Sequence, residues 1–444
     1  MANKSRPKKV RAPYRSYKAK KEEKHVASVG IETQENTHII HDQLKNNEFK
    51  LGVQQRPFYN STKSEIVAGE SINNAEALAL APTLAQDQIQ VQDQNQAYLP
   101  LPIELFAYIL EIVNANGDLD PSLMRVCKDF YKIVRPMIYR HPRLKATSFA
   151  NFVETLSSNK SLGDYIHSLD LSFVQSSKNA FVARLLKQTR KNLEDFVAPQ
   201  TSFGLGPLIA VKNCLNLKTL DLRLVSETLN LTELFHSMSN LNQLTHLSFP
   251  RSSVDIENYN NIKWPPKLTF LRLSGGINDE FLSHSNLPEL ITSLEFAHCP
   301  LITDIGIRQV LCKMGQKLRN FKVQYPMPSL KGNSLDDVFV LCPKLRVLEV
   351  CVDYLSSTFF DEHNLRHVNY ERPLRTLYIN SSGLLGTLNR LGPADLAMAL
   401  EDGRLPYVKN IQCTAKLSWD PKSDAVISIA DELDERGGGL YIGY

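Results

Sequence analysis

The sequence predicts an α/β protein: a disordered amino-terminal arm, a short three-helix module, and a strand–helix solenoid with a curved parallel sheet. Three observations predict it. The phrase Leu-x-x-Leu-x-Leu recurs ten times between Ile166 and Cys413, polar sequence changes abruptly to apolar helical sequence at Tyr98, and the residues before that change lack sustained periodicity. The implied boundaries are 1–97 for the arm, 98–145 for the helical module, 146–419 for the repeats and 420–444 for a carboxy-terminal cap or tail.

The arm is low-complexity sequence, with Gln86, Gln88, Gln90, Gln92, Gln94 and Gln96 at every second position. Its one Ala-Leu stretch, Asn73 to Ala81, is too short to persist alone as a helix. Met1 to Lys24 holds ten Lys or Arg, two Glu and no apolar core, the pattern of neither a secretory signal nor a transit peptide. Its charge of +8 exceeds the +4 of the whole chain, leaving the other 420 residues at −4. The folded body therefore lacks the composition of a nucleic-acid binder, and no stretch has the length and apolarity of a membrane span. Lys8, Lys9 and Arg11 have the density of a nuclear-import signal, which sets nucleus and cytoplasm as the expected location; a solvated tail, or an RNA contact using Tyr14 and Tyr17, are the alternatives.

In the helical module, Pro102 suits a first helical turn and Glu104 favours the positive end of the helix dipole. Leu105, Ile109 and Ile112 form one apolar stripe; Phe106, Leu110 and Val113 form another. A second helix is expected from Asp120-Pro121, carrying Leu123, Val126, Cys127 and Phe130, and a third from Tyr131 to Tyr139, bent at Pro136. A module of about 45 residues cannot bury two such stripes, so another protein surface is expected to cover one. Leu101, Pro102, Glu104, Ile109, Leu110, Val126, Cys127 and Phe130 make this segment resemble an F-box, with Phe130 standing where that family usually has tryptophan. The resemblance implies that Leu101, Pro102, Ile103, Leu105, Ile109, Leu110, Leu123, Val126, Cys127 and Phe130 dock a small adaptor subunit.

The repeats begin at Ile166, Leu193, Leu217, Leu244, Leu268, Ile291, Leu318, Leu345, Leu374 and Val408, in steps of 23 to 34 residues. Apolar side chains at positions 1, 4 and 6 share one buried edge while those between face water, so each unit reads as a short strand followed by a helix and buries its apolar face only by stacking. After Ile291-x-x-Leu294-x-Phe296, Thr303 or Asp304 is placed to cap a helix carrying Ile307, Val310 and Leu311, and Gly315 to end it in a left-handed turn. Ser334 with Asp337 is expected to repeat the cap before Val338 and Leu341. Cys299-Pro300-Leu301-Ile302-Thr303-Asp304-Ile305-Gly306 resembles the cysteine-containing class of leucine-rich repeat common in F-box proteins. Ile277-Asn278-Asp279 echoes it. Beyond the tenth repeat, Gly437-Gly438-Gly439 reads either as part of a cap or as a flexible joint.

No constellation for catalysis is evident. Gly204-x-Gly206 lacks the rest of a dinucleotide site, and neither a phosphate-binding loop nor a Gly-x-Ser-x-Gly elbow occurs. His363-x-x-x-His367 has ligand spacing without a third ligand, and His38-x-x-His41 lies in the arm, so neither metal nor cofactor is expected. Cys299 beside His298 is accounted for as core. The seven cysteines, without Cys-x-x-Cys, read as reduced thiols.

F-box and repeats together resemble a fungal-like substrate receptor of an SCF-type cullin-RING ubiquitin ligase. That implies a non-enzymatic chain binding the adaptor, and through it a cullin, at one end, and an unidentified target protein for ubiquitination at the other. The outward strand positions Asp221, Arg223, Arg272, Glu295, Lys322, Gln324, Glu349, Tyr378 and Asn380 are the expected target-reading surface. A non-proteolytic F-box scaffold and a leucine-rich-repeat regulator of a small GTPase are the alternatives.

Overall fold

A computed structural model describes residues 101–443, except 175–178, 201, 255, 257, 366–373 and 385–390, and all of these fall in one unit, Asn95–Tyr444. The arm, with Lys8, Lys9, Arg11, His38 and His41, lies outside the described residues, as does His367.

Helix α1 (Ile103–Ala115) is followed by a 3-10 turn (Pro121–Arg125) and by α2 (Lys128–Arg140). Pro102 stands just before α1, its carbonyl accepting from the amides of Leu105 and Phe106. The expected second helix is only that 3-10 turn, capped by Asp120 Oδ1 accepting from the Ser122 amide at 2.8 Å. Cys127 is extended (φ −157, ψ 175) and interrupts it, so Phe130 belongs to α2. Pro136 does not break α2; its missing N–H removes one bond of a helix that continues to Arg140. Helix α3 (Phe149–Ser158) leads into the sheet.

Eleven parallel strands follow in chain order: β1 (Ser168–Asp170), β2 (Asp195–Val197), β3 (Thr219–Asp221), β4 (His246–Ser248), β5 (Phe270–Leu273), β6 (Ser293–Ala297), β7 (Asn320–Gln324), β8 (Val347–Cys351), β9 (Thr376–Asn380), β10 (Asn410–Cys413) and β11 (Gly439–Ile442). Each of the first ten begins two residues after the start of its leucine phrase. Position 4 therefore stacks from strand to strand without a slip, Leu271 on Leu294 on Phe321 on Leu348 on Leu377. Residues at positions 1, 4 and 6 are buried in all ten, including the divergent second unit, Leu193, Phe196 and Ala198. They share one continuous core with the helices that follow the strands.

The carboxy-terminal tail is an eleventh strand–helix unit rather than a joint. Helix Asp424–Glu435 packs before β11, which pairs in parallel with β10. Gly437 has the left-handed φ of +68, and a Cβ on Gly438 would collide with the Lys409 carbonyl, so backbone conformation explains one of the three glycines and close approach another.

Neighbouring units are also fastened by carboxylates. Thr303 caps helix Asp304–Met314, its Oγ1 accepting from the Ile305 amide at 3.2 Å. Asp279 of the preceding unit accepts from both the amide and the hydroxyl of Thr303, at 2.9 and 2.6 Å. A Cβ on Gly306 would run into that carboxylate, which is the physical content of the Thr-Asp-x-Gly pattern. Asp336 holds Ser356 in the same way, at 2.9 Å to the amide and 2.6 Å to the hydroxyl. Gly315 differs from expectation: its φ of −55 is right-handed, and its lack of a side chain lets the Leu341 carbonyl approach. Nor do Ser334 and Asp337 form a cap; Ser334 Oγ accepts from the Lys331 amide and Asp337 pairs with Arg308.

Candidate protein-docking surfaces

The two stripes of α1 have opposite fates. Leu110 is buried, Phe106 and Val113 are half-buried, and the Phe106 ring packs on Phe130 at 5.9 Å between centroids. Leu105, Ile109 and Ile112 stay open at 47–50 % exposure, together with Leu101, Ile103 and, across the turn, Val126. Of the ten residues expected to dock an adaptor, Leu101, Pro102, Ile103, Leu105, Ile109, Val126 and Cys127 are exposed. Leu110 is the correction: it is buried and is not available at the surface of the module. Leu123 and Phe130 are half-buried. Tyr108, 62 % exposed beside Leu105 and Ile112, was missed because its hydroxyl hides it from an apolar pattern.

The module is fixed to the repeats. Arg135 of α2 donates to the Tyr165 hydroxyl at 2.8 Å and stacks on the rings of Tyr131 and Tyr165, 4.9 and 5.1 Å from their centroids. The His167 amide, at the mouth of β1, donates to the Arg140 carbonyl at 3.0 Å.

Residues 98–177 match the model of the COS11 F-box domain. The F-box protein YDR306C of Saccharomyces cerevisiae is 39 % identical over the whole of both chains. This chain is an F-box protein. Protein pof5 of Schizosaccharomyces pombe is 34 % identical over 76 % of this chain and 96 % of its own. Among solved structures, a yeast Rad7–Elc1 complex is similar with a TM-score of 0.45 and 14 % identity, over 72 % of this F-box protein and 85 % of that chain.

On the open face of its sheet, seven of the nine expected target-reading residues meet in one network. Position 5 is in register across Arg272, Glu295, Lys322, Glu349 and Tyr378. Arg272 Nη1 lies 3.2 Å from Glu295 Oε2, and Lys322 Nζ lies 3.4 Å from both Glu295 Oε1 and Glu349 Oε2. Gln324 and Asn380 donate to Glu349 Oε1 at 3.2 and 3.0 Å, and Lys322 stands over the Tyr378 ring at 5.9 Å. Burial pulls the Lys322 ammonium down, but Glu295 and Glu349 outweigh it and hold its pKa above the ordinary lysine value. Asp221 and Arg223 sit apart and pair with each other at 2.6 Å.

These side chains do not stand free in water as the alternation of strand positions suggested. Asp221, Glu295 and Glu349 are buried, at 5–8 % exposure: neighbours of opposite sign at strand spacing shield Glu295 and Glu349, and Arg223, two residues on, pairs with Asp221. Arg272 Nε is buried without a hydrogen-bond partner among the described residues.

Among the described residues, other candidate chemistry finds no support in geometry. Cys299 is fully buried, its Sγ 3.4 Å from the Leu273 carbonyl, and burial pushes its pKa up to about 12. All seven thiols are free; Cys214, Cys299, Cys342, Cys351 and Cys413 are buried, whereas Cys127 and Cys312 are exposed. Among the described residues no cluster of three metal-ligating side chains occurs, and no helix is long and apolar enough to cross a membrane.

Proposed function

We propose that this F-box protein is a non-enzymatic substrate receptor of an SCF-type cullin-RING ubiquitin ligase, its repeats forming a leucine-rich-repeat solenoid that holds the target. The observation that carries the reading is the open stripe Leu105, Ile109 and Ile112, with Leu101 and Ile103 exposed at the amino-terminal end of the helix, an apolar face left uncovered beside a packed one. A small adaptor covers this stripe and links the chain to a cullin. Catalysis then resides in the ubiquitin-carrying partner, and this chain contributes effective concentration by holding the target near it. Nucleus and cytoplasm are the proposed location, with Lys8, Lys9 and Arg11 as the import signal.

Co-purification with the Skp1-type adaptor tests the reading. Replacing Leu101 and Pro102 by Ala, or Ile109 by Asp, should release the adaptor while the circular-dichroism melt of the repeats stays unchanged, since these side chains are exposed. Undiminished co-purification of both variants would refute the docking face.

A further inference from the structure

The second residue of each phrase sits where the chain turns into its strand, and the backbone ladder stacks these residues in a row along one rim of the sheet. The row changes character along its length. At its start Glu194 lies between two basic side chains, 3.2 Å from His167 Nδ1 and 2.6 Å from Lys218 Nζ. In the middle stand Thr245 and Thr269, whose hydroxyls donate to backbone carbonyls of the preceding rung at 3.1 and 3.2 Å. The next stretch is Arg319, Arg346, Arg375 and Lys409, all exposed. They occupy consecutive rungs: the Arg346 amide donates to the Arg319 carbonyl at 2.7 Å, Arg375 to Arg346 at 2.8 Å, and Lys409 to Arg375 at 3.0 Å.

Strands lie about 4.8 Å apart, so four cations are spread over about 14 Å. Among the described residues none of the four side chains has an ion-pair or hydrogen-bond partner. The next residue along each strand is Asn320, Val347, Thr376 or Asn410, which adds no carboxylate. Beyond Lys409 the row ends at Gly438, which has no side chain to cover it. Like charges on adjacent rungs repel, and Glu194 demonstrates that this position accepts a neutralising carboxylate; here none of the described residues supplies one.

We propose that the rim of Arg319, Arg346, Arg375 and Lys409 seats an acidic, extended segment of a partner protein, its carboxylates taking the place that Glu194 fills at the other end of the row. Charge complementarity selects an anion, and two features select a protein segment over nucleic acid. Among the described residues no aromatic ring occupies the second or third phrase position of these four rungs for base stacking. The chain beyond the arm carries −4 overall, which opposes a long polyanion, whereas a short segment senses the local field within a Debye length of about 8 Å. This deepens the reading of the chain as a target receptor and rests on it. The rim is separate in sequence and surface from the adaptor stripe, so loss of one interaction is distinguishable from loss of the other.

The test is fluorescence anisotropy of a labelled octaglutamate peptide with the full-length protein at physiological salt. Arg346→Glu with Arg375→Glu should weaken binding at least about tenfold. The pair Arg346→Lys and Arg375→Lys, which keeps the charge, should stay within about twofold, as should the arm variant Lys8→Ala, Lys9→Ala, Arg11→Ala. If the double reversal fails to fold, Arg346→Ala alone should still weaken binding. Unchanged binding by the rim variants, or its loss in the arm variant, would overturn the proposal. So would single-stranded RNA binding the same rim more tightly than the peptide, since the occupant would then be nucleic acid.

Discussion

Leu294→Ala measures the repeat frame directly. Leu294 is fully buried in β6 and in register with Leu271 on one side and Phe321 on the other. The substitution removes three carbon groups, about 2.4 kcal/mol of transfer free energy at ~0.8 kcal/mol per group. A residual cavity of roughly 60–80 Å³ adds about 1.5–2 kcal/mol at ~24 cal/mol per Å³. Little relaxation is expected, because β6 is hydrogen-bonded to strands on both sides, so about 4 kcal/mol is the expected loss. For a cooperatively melting body of this size that lowers Tm by about 6 °C, read by calorimetry or circular dichroism. Leu301→Ala, in the same unit but at a site 54 % exposed, is the control and should shift Tm by less than about 1 °C. Equal melts for Leu294→Ala and wild type would show that the stacking of position 4 is not what holds the array together.

Three further outcomes are expected. Glu295→Ala leaves both Arg272 and Lys322 without their shared carboxylate and should destabilise by about 3 kcal/mol, more than Arg223→Ala at the isolated pair; equal urea midpoints for the two variants would argue against a coupled ladder. Ellman's reagent should titrate two thiols in the native protein and seven in denaturant; because burial pushes the five buried thiols up to about 12, the unfolded chain releases their protons first, and stability should fall as pH rises from about 9 toward 12 rather than stay flat. Changing Lys8, Lys9 and Arg11 to Ala should lower the nuclear fraction of a tagged protein without affecting adaptor binding, and an unchanged distribution would leave the arm as a solubility tail.

The sequence by itself determined the repeat frame, because Leu-x-x-Leu-x-Leu allows only one register in which positions 1, 4 and 6 are all buried, and ten strands begin where that frame puts them. It also exposed the surplus of apolar surface on α1, since two stripes on one helix need two partners. Which stripe stays open was a tertiary decision: the contact of Phe106 with Phe130 took one stripe, and Leu110 with it, into the module. The eleventh unit was hidden because Gly437 stands where the frame wants leucine, and only the approach of the Lys409 carbonyl explains a glycine beside it. The charges on the sheet were legible one by one, but not as a network. Arg272, Glu295, Lys322 and Glu349 are 23 to 27 residues apart in sequence, and only parallel pairing at strand spacing makes each the neighbour that neutralises the next, while the same spacing sets Arg319, Arg346, Arg375 and Lys409 side by side on consecutive rungs.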